Sequence, residues 1–507
     1  MSTLAIEFTA SRLLQTVYGT SNIVWANVIG LVLLSLTAGY FIGGRLADRQ
    51  PRADLFYALV SLSGFAAIFF LLLTSIILRG AAGALAVMNV GAVAGSLLLV
   101  VVALVVPVTL LGCLSPFAIR LAVRDVSEAG RISGRIYAVS TLGSLLGTYL
   151  PVLITIPLAG SRLTAVLFGV LLLTVGIIGV WRARHSDWTR MAMLALPLVL
   201  VPVVALGLRG GVKNYSGQIF EMESAYNYIQ VIRQDDCNYL LLNEGQAYHS
   251  FYCDDGRVPD VSVWSIMLAA PYFNAGAQPP RSAAVVGLAA GTIPKQFTQV
   301  FGPLPIDGIE LDPAIVAAGR EYFALDEPNI RVITGDGRYE LSALPGPYDL
   351  ITIDAYKVPY IPWHLTTREF YADALARLSP TGVLAINVGR APEDRRLVDA
   401  VGSTLQSVFP TVHAIDVPGT LNTILVATAS PTVPDNLKAN LAALPADADP
   451  LLRRVLETAA ANLAPPPAAD SALVLTDDRA PIETISDSIV IRYLLAAGPS
   501  GLGTLGE

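Results

Sequence analysis

Three carboxylates in the second half of the chain stand at or just after the ends of short apolar runs. They are Glu310, Asp336 and Asp354, and the runs are strands that we predict at Ile306–Leu311, Arg331–Thr334 and Leu350–Asp354. Short apolar runs separated by helical stretches predict a parallel, doubly wound sheet. Ligands of such sheets bind outside the carboxyl ends of the strands. We therefore expect the three side chains to line one ligand site.

A turn of small residues precedes these carboxylates, after a strand predicted at Ala283–Gly287. Gly287 and Gly291 favour a tight turn in which a ligand can approach backbone N–H groups and the start of the next helix. Glu310 follows Gly287 by 23 residues, about the spacing at which an acidic side chain can hold both ribose hydroxyls of a nucleoside. The alternative is a strand–helix turn with a purely structural role.

The later carboxylates extend this prediction. Asp336, which is followed by Gly337, could accept a hydrogen bond from an adenine amino group, and Asp354 lies at the same predicted sheet edge. Asp312, by contrast, precedes Pro313 and is expected to cap a helix. Together the three carboxylates predict a nucleoside site, and a chance surface arrangement is the alternative.

The first half of the chain has the composition of a membrane protein. Hydrophobic residues make up 53% of the 507 residues and charged residues only 14%, unlike ordinary soluble proteins. Runs long enough to cross a bilayer as helices lie at about 23–42, 55–78, 94–119, 136–158, 163–181 and 191–208, with a weaker seventh at 4–17. We expect about seven transmembrane helices and a lipid bilayer as partner.

The charge and ligand counts exclude two classes of function. A net charge of −7 gives no basic surface for nucleic acid, and four His and three Cys are too few for a zinc cluster of the usual spacing. We expect neither a nucleic-acid partner nor a metal. Assembly into homo-oligomers stays open.

These patterns divide the chain into three parts. We expect a multi-pass helical bundle at 1–208, a small antiparallel β cap at 212–280 and a Rossmann-like nucleoside-binding domain of the methyltransferase type at 281–507. The strands that indicate the cap are predicted at Tyr228–Arg233, Tyr239–Leu242 and Ala247–Tyr252. The segment Pro431–Pro467, rich in Ala and Pro, predicts a loosely packed insertion or linker.

Loop arginines predict the side of the cell membrane that the C-terminal part faces. One set of loops holds ten arginines, and the alternate set holds two, Arg79 and Arg162. The arginine-rich loops should be cytoplasmic, which places the C-terminal domain outside the cytoplasm. A miscounted span would instead place it in the cytoplasm.

Two cysteines give an independent indication of the compartment. Cys237 and Cys253 each lie eight residues from Gly245, so an antiparallel hairpin that turns there would oppose them within reach of a disulfide. Such a bond fits an oxidising compartment. Two unrelated thiols are the alternative, because a one-residue change of register would separate the pair.

Several stretches together carry a resemblance to a known family. They are Glu223–Val231, Leu240–Asn243, Gly308–Asp312, Gly335–Gly337, Thr367–Tyr371 and Thr476–Glu483. From about Glu221 to Glu483 the chain resembles the spermidine synthase (polyamine aminopropyltransferase) family. As a whole it resembles the membrane-fused members, in which several helices precede such a domain.

The resemblance implies a reaction and a set of roles. An amine would attack the methylene group next to the sulfonium of decarboxylated S-adenosylmethionine and release methylthioadenosine, with Asp354 as the base. Glu310 and Asp336 would contact the ribose and the adenine. Asn227 stands where the family often has a ligand-contacting Gln, and His249 replaces a common Gln. With Tyr356, these two are our candidate substrate-binding residues.

The chain departs from the family pattern mainly in the amine half of the site. Ala290 replaces an acid that meets the cationic tail of the nucleoside, and Lys357 stands where a second acid would bind a diamine. A Tyr-His-Glu signature is replaced by Trp264-Ser-Ile266. These changes argue against ordinary putrescine as acceptor and leave open whether the donor is decarboxylated.

Two hypotheses follow from these residues. The first is a membrane-bound enzyme of polyamine metabolism that transfers a group from S-adenosylmethionine, decarboxylated or not, to an amine. The second is a carrier or receptor that binds an adenosyl compound or a polyamine without turnover. An external site would be awkward for the enzyme, since the adenosyl donor is made in the cytoplasm.

Overall fold

The chain forms two compact units in a computed structural model. The model describes residues 1–18, 22–88, 92–183, 187–208, 215–243, 248–256, 261–356 and 360–497. One unit comprises Met1–Ser216 with Glu221–Tyr228, and the other comprises Gly217–Phe220 with Ile229–Glu507. The three β-strands expected in the cap and the strands of the doubly wound sheet thus fall largely in the second unit.

The first unit is helical. Its helices are α1 (Ser2–Tyr18), α2 (Asn22–Arg49), α3 (Ala53–Met88), α4 (Ala92–Ala122), α5 (Ala129–Leu150), α6 (Ile156–Ala183) and α7 (Asp187–Gly207). Buried apolar side chains of α1 to α4, among them Ile6, Val32 and Leu104, form a common core. The segment from 1 to 208 is therefore helical throughout its described residues, apart from short connections.

Four segments of the described residues are long and apolar enough to cross a membrane. They are Trp25–Arg49, Ala53–Ile77, Val101–Ala122 and Val126–Ala183. α1, with 17 residues, and the shorter apolar stretch Met191–Gly207 of α7 are not among these four segments, so the expected number of about seven spans stays a prediction. The fourth segment joins α5 to α6 over 58 residues, far more than the roughly 20 that one crossing needs. It is interrupted at Gly160, whose φ of 74° is not helical.

The segment Glu221–Tyr228 belongs to the helical unit through polar contacts. The guanidinium of Arg12 donates to the backbone carbonyls of Ser224 and Ala225, both at 2.8 Å. The carboxylate of Glu223 accepts a hydrogen bond from the backbone N–H of Ser161 at 2.9 Å. Arg12, an unusual residue in an apolar helix, therefore holds this segment.

A four-stranded antiparallel sheet follows the helices. Its strands, in spatial order, are β1 (Gln218–Glu223), β2 (Tyr228–Gln234), β3 (Cys237–Leu242) and β4 (Tyr248–Cys253). In the β3–β4 pair Cys237 lies directly opposite Cys253, and the two form a disulfide. The turn expected around Gly245 lies outside the described residues.

An eight-stranded sheet forms the centre of the second unit. Its strands are β5 (Ala283–Val286), β6 (Ile306–Glu310), β7 (Ile330–Thr334), β8 (Tyr348–Ile353), β9 (Leu378–Gly389), β10 (Thr411–Asp416), β11 (Asn422–Thr428) and β12 (Leu463–Ala464). The spatial order is β12-β10-β11-β9-β8-β5-β6-β7. From β7 to β9 neighbouring strands are parallel, and β10 to β12 add an antiparallel edge.

Helices bury both faces of this sheet. They are α8 (Val263–Ile266), α9 (Thr292–Phe301), α10 (Pro313–Tyr322), α11 (Gly337–Ala343), α12 (Arg368–Ala376), α13 (Arg396–Gln406), α14 (Asp435–Ala442), α15 (Pro450–Ala461) and α16 (Ile482–Ala497). Alternate residues of β5 enter opposite cores: Ala284 and Val286 pack with α12 and α13, whereas Ala283 and Val285 pack with α9 and α15. This two-sided burial explains why the strands read as continuous apolar runs.

The Pro- and Ala-rich segment Pro431–Pro467 is not a loose linker. It contains α14 and α15, whose residues Leu437, Val455 and Leu456 are fully buried in the core that covers one face of the sheet. Our expectation of loose packing was wrong because composition hid an amphipathic pattern of leucines. Two helices of ordinary length pack here.

The disulfide predicts a measurable share of the stability of the second unit. A cross-link between residues 16 apart should stabilise the fold by about 3 kcal/mol, since it restricts the unfolded chain. Replacing both Cys237 and Cys253 with Ser should lower the denaturation midpoint of the detergent-solubilised protein. A reductant should lower the midpoint of the parent to the same value and leave the variant unchanged. A parent protein that is insensitive to reductant would contradict the prediction.

Candidate functional site

The order of the strands reverses beside β5. The chain passes from β5 to β6 and β7 on one side and to β8 and β9 on the other. Such a reversal opens a crevice at the carboxyl ends of the strands. Gly287 follows β5 and Asp354 follows β8, so the loops that carry these two residues border the crevice.

Gly287 is required by the close approach of these two loops. Its φ is 87°, and a Cβ atom there would lie 2.6 Å from the carbonyl oxygen of Asp354. Any side chain would therefore push the two loops apart. Gly291, also left-handed, is the residue directly before α9, and Gly337 begins α11 beside Val286.

The N–H groups of the small-residue turn are already bonded within the protein. Those of Gly287 and Leu288 donate to the carbonyl of Ile309, and that of Gly291 donates to Leu288. The N–H groups of Ala289 and Ala290 donate to side chains of Glu310 and Ser250, both at 2.9 Å. The turn therefore shapes the crevice without offering these five donors to a ligand, which corrects the expectation that a ligand would approach them.

Glu310 supports this turn from the end of β6. One carboxylate oxygen accepts from Ala289 N and the other from Asp312 N, at 2.9 and 3.0 Å. The residue is 8% exposed. Burial raises the pKa of Glu310, while the two N–H donors act in the opposite direction. Each carboxylate oxygen has a second lone pair, so the side chain can hold the turn and still accept from ribose hydroxyls.

Asp336 has a structural role that sequence reasoning missed. One carboxylate oxygen caps α11 by accepting from the backbone N–H groups of Arg338 and Tyr339, at 3.0 and 3.2 Å. The other oxygen lies 3.1 Å from His364 Nε2. The Asp-Gly sequence before a helical stretch is the signal that could have found this cap. The carboxylate stays partly exposed, as a ligand contact would require.

Asp354 occupies a more enclosed position. Asn387, on the neighbouring strand β9, donates through Nδ2 to one Asp354 oxygen at 2.9 Å, and Trp264 donates from its indole N–H. Burial raises the pKa of Asp354, and these two hydrogen bonds partly oppose that shift. A carboxylate with a raised pKa at a sheet edge is typical of a group that accepts and releases a proton.

Tyr356 is close to this carboxylate. Its hydroxyl donates to the backbone carbonyl of Asn387 at 3.0 Å. Burial, and then the charge of Asp354, raise the pKa of Tyr356 well above its usual value, so the phenol stays neutral. The cation expected from Lys357 lies outside the described residues.

The remaining substrate candidates are placed less directly. His249 lies on β4, next to Ser250, whose side chain bonds the small-residue turn. Asn227 lies in Glu221–Tyr228, the segment that belongs to the helical unit, where its N–H donates to the Ser224 hydroxyl. Ala290 is 1% exposed in an apolar cluster.

Asn387 is the site residue that the sequence reading missed. It interrupts the otherwise apolar strand sequence Val-Leu-Ala-Ile-Asn-Val, from 383 to 388. A polar side chain in a fully buried strand costs free energy unless it is hydrogen-bonded. A single polar residue in this apolar strand was therefore the sequence signal that could have identified Asn387. Among the described residues, no group of three or more His, Cys, Asp or Glu side chains could hold a metal ion.

Part of the chain is similar in sequence to known proteins. The probable polyamine aminopropyl transferase of Bifidobacterium longum (strain NCC 2705) is 34% identical over 212 residues, which cover 41% of this chain and 46% of that protein. The polyamine aminopropyltransferase of Vibrio vulnificus (strain CMCP6) is 29% identical over 208 residues, 39% of this chain and 68% of that protein. About two fifths of this chain is thus similar in sequence to polyamine aminopropyltransferases.

The resemblance expected from the sequence is thus confirmed. The match spans slightly less than half of the Bifidobacterium aminopropyl transferase. A crystal structure of a probable spermidine synthase from Corynebacterium glutamicum ATCC 13032 is 18% identical, with a TM-score of 0.40, and the match covers 48% of this chain and 95% of that one. No family model matches the chain.

Two of the stretches that resemble the aminopropyltransferases hold the fold beside the site. The carboxylate of Asp477 accepts two hydrogen bonds from Arg338, each 2.7 Å, and one from the Thr367 hydroxyl. Thr367 also caps α12. These residues join the start of α11, which Asp336 caps, to the start of α12.

The raised pKa of Asp354 predicts how the stability of the fold depends on pH. A neutral carboxyl is favoured in the folded state, so its stabilising contribution is complete below the ordinary Asp pKa of about 4 and is lost as pH rises through the folded value. Asn cannot ionise. The melting temperature of Asp354→Asn, relative to that of the parent, should therefore rise between pH 4 and pH 8. A difference that does not change with pH would contradict this reading.

Proposed function

We propose that the chain is a membrane-associated transferase that moves an aminopropyl group from decarboxylated S-adenosylmethionine to an amine. The observation that carries the proposal is the half-buried, hydrogen-bonded carboxylate of Asp354 at the strand reversal, in a chain similar to aminopropyltransferases. β5 separates β8 from β6. At about 4.8 Å between strands, the ends that carry Asp354 and Glu310 lie roughly 10 Å apart, a distance that one nucleoside with its side chain can span.

The proposed step conserves atoms and charge. The lone pair of the amine nitrogen attacks the methylene carbon bonded to the sulfonium, a C–N bond forms, and the electron pair of the broken C–S bond passes to sulfur. Methylthioadenosine leaves as a neutral thioether, and a proton of the nitrogen passes to Asp354. Because a primary amine has a pKa of about 10, most of it is protonated at neutral pH and needs such a base.

The nucleoside side of the site suits a ligand without phosphate. The turn from Gly287 to Gly291 has its N–H groups bonded internally, so it lacks the free donors that phosphate-binding loops provide. Glu310 and Asp336 offer acceptors, which match ribose hydroxyls and an adenine amino group. The apolar surroundings of Ala290 give the cationic tail no acid at that position, and intact S-adenosylmethionine therefore belongs in the test as a second donor.

We infer that the second unit faces an oxidising compartment outside the cytoplasm. Two observations support this: the excess of arginine in one set of loops and the disulfide between Cys237 and Cys253. The helices then provide attachment to the cell membrane. On this topology the adenosyl donor must reach the external side.

The reaction can be tested with the purified, detergent-solubilised protein. Decarboxylated S-adenosylmethionine with a panel of amines should yield methylthioadenosine, measured by chromatography. Asp354→Asn should slow release by a factor of about 10²–10⁴ because it removes the base. Asp447→Asn, a matched change at an exposed position, should not alter the rate.

The same preparation separates the enzyme from the carrier or receptor. Calorimetric binding of methylthioadenosine, weakened by Glu310→Gln but unaccompanied by product formation with any amine, would favour the carrier. Glu457→Gln on the exposed face of α15 is the control. Absence of binding by every adenosyl compound would contradict both functions.

The topology can be tested in sealed vesicles of known orientation. An impermeant protease should cleave the second unit only when it is added to the external side. Because Cys237 and Cys253 are buried, their oxidation state is read after denaturation: in a Cys113→Ala background, which leaves only the bonded pair, a maleimide should label the denatured chain only if a reductant has been added first. Cleavage only from the cytoplasmic side would show the opposite orientation, and labelling without reductant would show a reduced pair.

A further inference from the structure

Of the two polar atoms in the side-chain amide of Asn387, one makes a hydrogen bond within the described part of the chain and the other makes none. Nδ2 donates to Asp354 Oδ1 at 2.9 Å. Oδ1 of the same amide is buried and has no hydrogen-bond partner among the described residues, and Asn387 is only 7% exposed. A buried acceptor without a donor costs about 1–3 kcal/mol, which calls for an explanation.

The orientation of this amide is fixed by its neighbour. An ionised carboxylate only accepts hydrogen bonds, so the NH₂ end of Asn387 must face Asp354 and the oxygen must face elsewhere. Because both atoms are bonded to the same carbon, the free oxygen lies beside the carboxylate. Asn387 projects on the same side of β9 as Val383 and Ala385, which pack in the core that contains α8.

The backbone around Asn387 is held in place. Its carbonyl accepts the Tyr356 hydroxyl at 3.0 Å, and its N–H and carbonyl lie within the β9–β11 ladder opposite Ile424. Asn387 cannot move to find another donor without breaking these bonds. The missing donor is therefore best supplied by a ligand.

We propose that Asn387 is a positioning and specificity-determining residue for the acceptor: its Nδ2 orients the Asp354 carboxylate, and its Oδ1 accepts a hydrogen bond from the attacking amine. This inference rests on the proposed transferase function. The site then presents two neighbouring acceptors, the Asp354 carboxylate and the Asn387 oxygen, to one nitrogen.

Two acceptors select the class of amine. A neutral primary amine has two N–H donors and one lone pair, so it can donate to both acceptors while the lone pair points at the methylene carbon of the donor substrate. As the C–N bond forms, the nitrogen becomes positively charged, and the N–H that faces Asp354 gives up its proton. A secondary amine has one N–H and leaves one buried acceptor unpaired, the kind of loss by which sites reject analogues.

The test compares the primary diamine of the panel that the parent accepts best with the N,N′-dimethyl derivative of that diamine, in which both nitrogens are secondary. The parent should prefer the primary diamine by a factor of at least about ten in kcat/KM, as expected for one lost hydrogen bond. Asn387→Leu should lower kcat/KM for the primary diamine and reduce the preference at least about fivefold. The KM for the adenosyl donor should not change. Asn387→Gln, which keeps both amide atoms, should restore part of the preference.

A pH profile separates orientation of the base from a merely structural effect. The Asn387 donor lowers the pKa of Asp354, so its loss in Asn387→Leu should move the acidic limb of kcat to higher pH. Asn436→Leu, which removes an amide that donates to a backbone carbonyl elsewhere in the same unit, should move neither the limb nor the preference.

The possible failures are distinguishable. A parent that transfers to no amine overturns the proposed function together with this inference. An active parent whose preference and acidic limb are the same in Asn387→Leu overturns this inference alone. Equal loss with both amines, without a shift of the limb and with a lowered melting temperature, assigns Asn387 to folding only and also overturns it.

Discussion

Placing a carboxylate inside a protein requires hydrogen bonds strong enough to offset the loss of water. At Asp354 that requirement is met by Asn387, on the strand β9 that lies beside β8, and by Trp264 of α8. The strand order, the glycine at 287 and the break in the apolar pattern of β9 are thus parts of one arrangement. Each would be costly alone, and together they hold an acid whose pKa is raised but whose position is fixed.

The three strand-end carboxylates share an edge of the sheet but not an environment. Glu310 is bonded to two backbone N–H groups and holds the turn after β5, whereas Asp336 caps a helix and stays partly exposed. Asp354 is bonded only to side chains, so its surroundings can respond when a substrate binds. In the proposed function, Glu310 and Asp336 position the ligand and Asp354 exchanges a proton, and this division follows from the hydrogen-bond donors around each acid rather than from residue type.

Sequence patterns predicted those features that depend on the period of a strand or on chain direction. Parallel strands bring their carboxyl ends together whatever the strand order, so Glu310, Asp336 and Asp354 could be grouped without a structure, and Cys237 and Cys253 could be paired from the symmetry of a hairpin.

The hydrogen-bond partners of these residues could not be predicted. Asn387 reaches Asp354 because β9 lies beside β8. Two backbone N–H groups of the small-residue turn donate to the side chains of Ser250 and Glu310, which come from distant parts of the chain. The number of spans stays a prediction, because hydrophobicity and length alone do not show where membrane-crossing helices end or join.

The chemistry and the topology place opposite demands on this chain. A disulfide is stable where thiols are oxidised, yet an adenosyl sulfonium arises from metabolism inside the cell. The conflict is reduced if the acceptor rather than the donor determines where the site must be, because a primary amine outside the cytoplasm can be modified only by an enzyme that faces it. The selectivity proposed for Asn387 is consistent with this view. A site that binds two N–H groups of one nitrogen, and has few acidic side chains to bind the rest of the acceptor molecule, selects the acceptor mainly by its reacting amino group. Such a site suits a membrane-attached transferase whose acceptor is defined by its amino group.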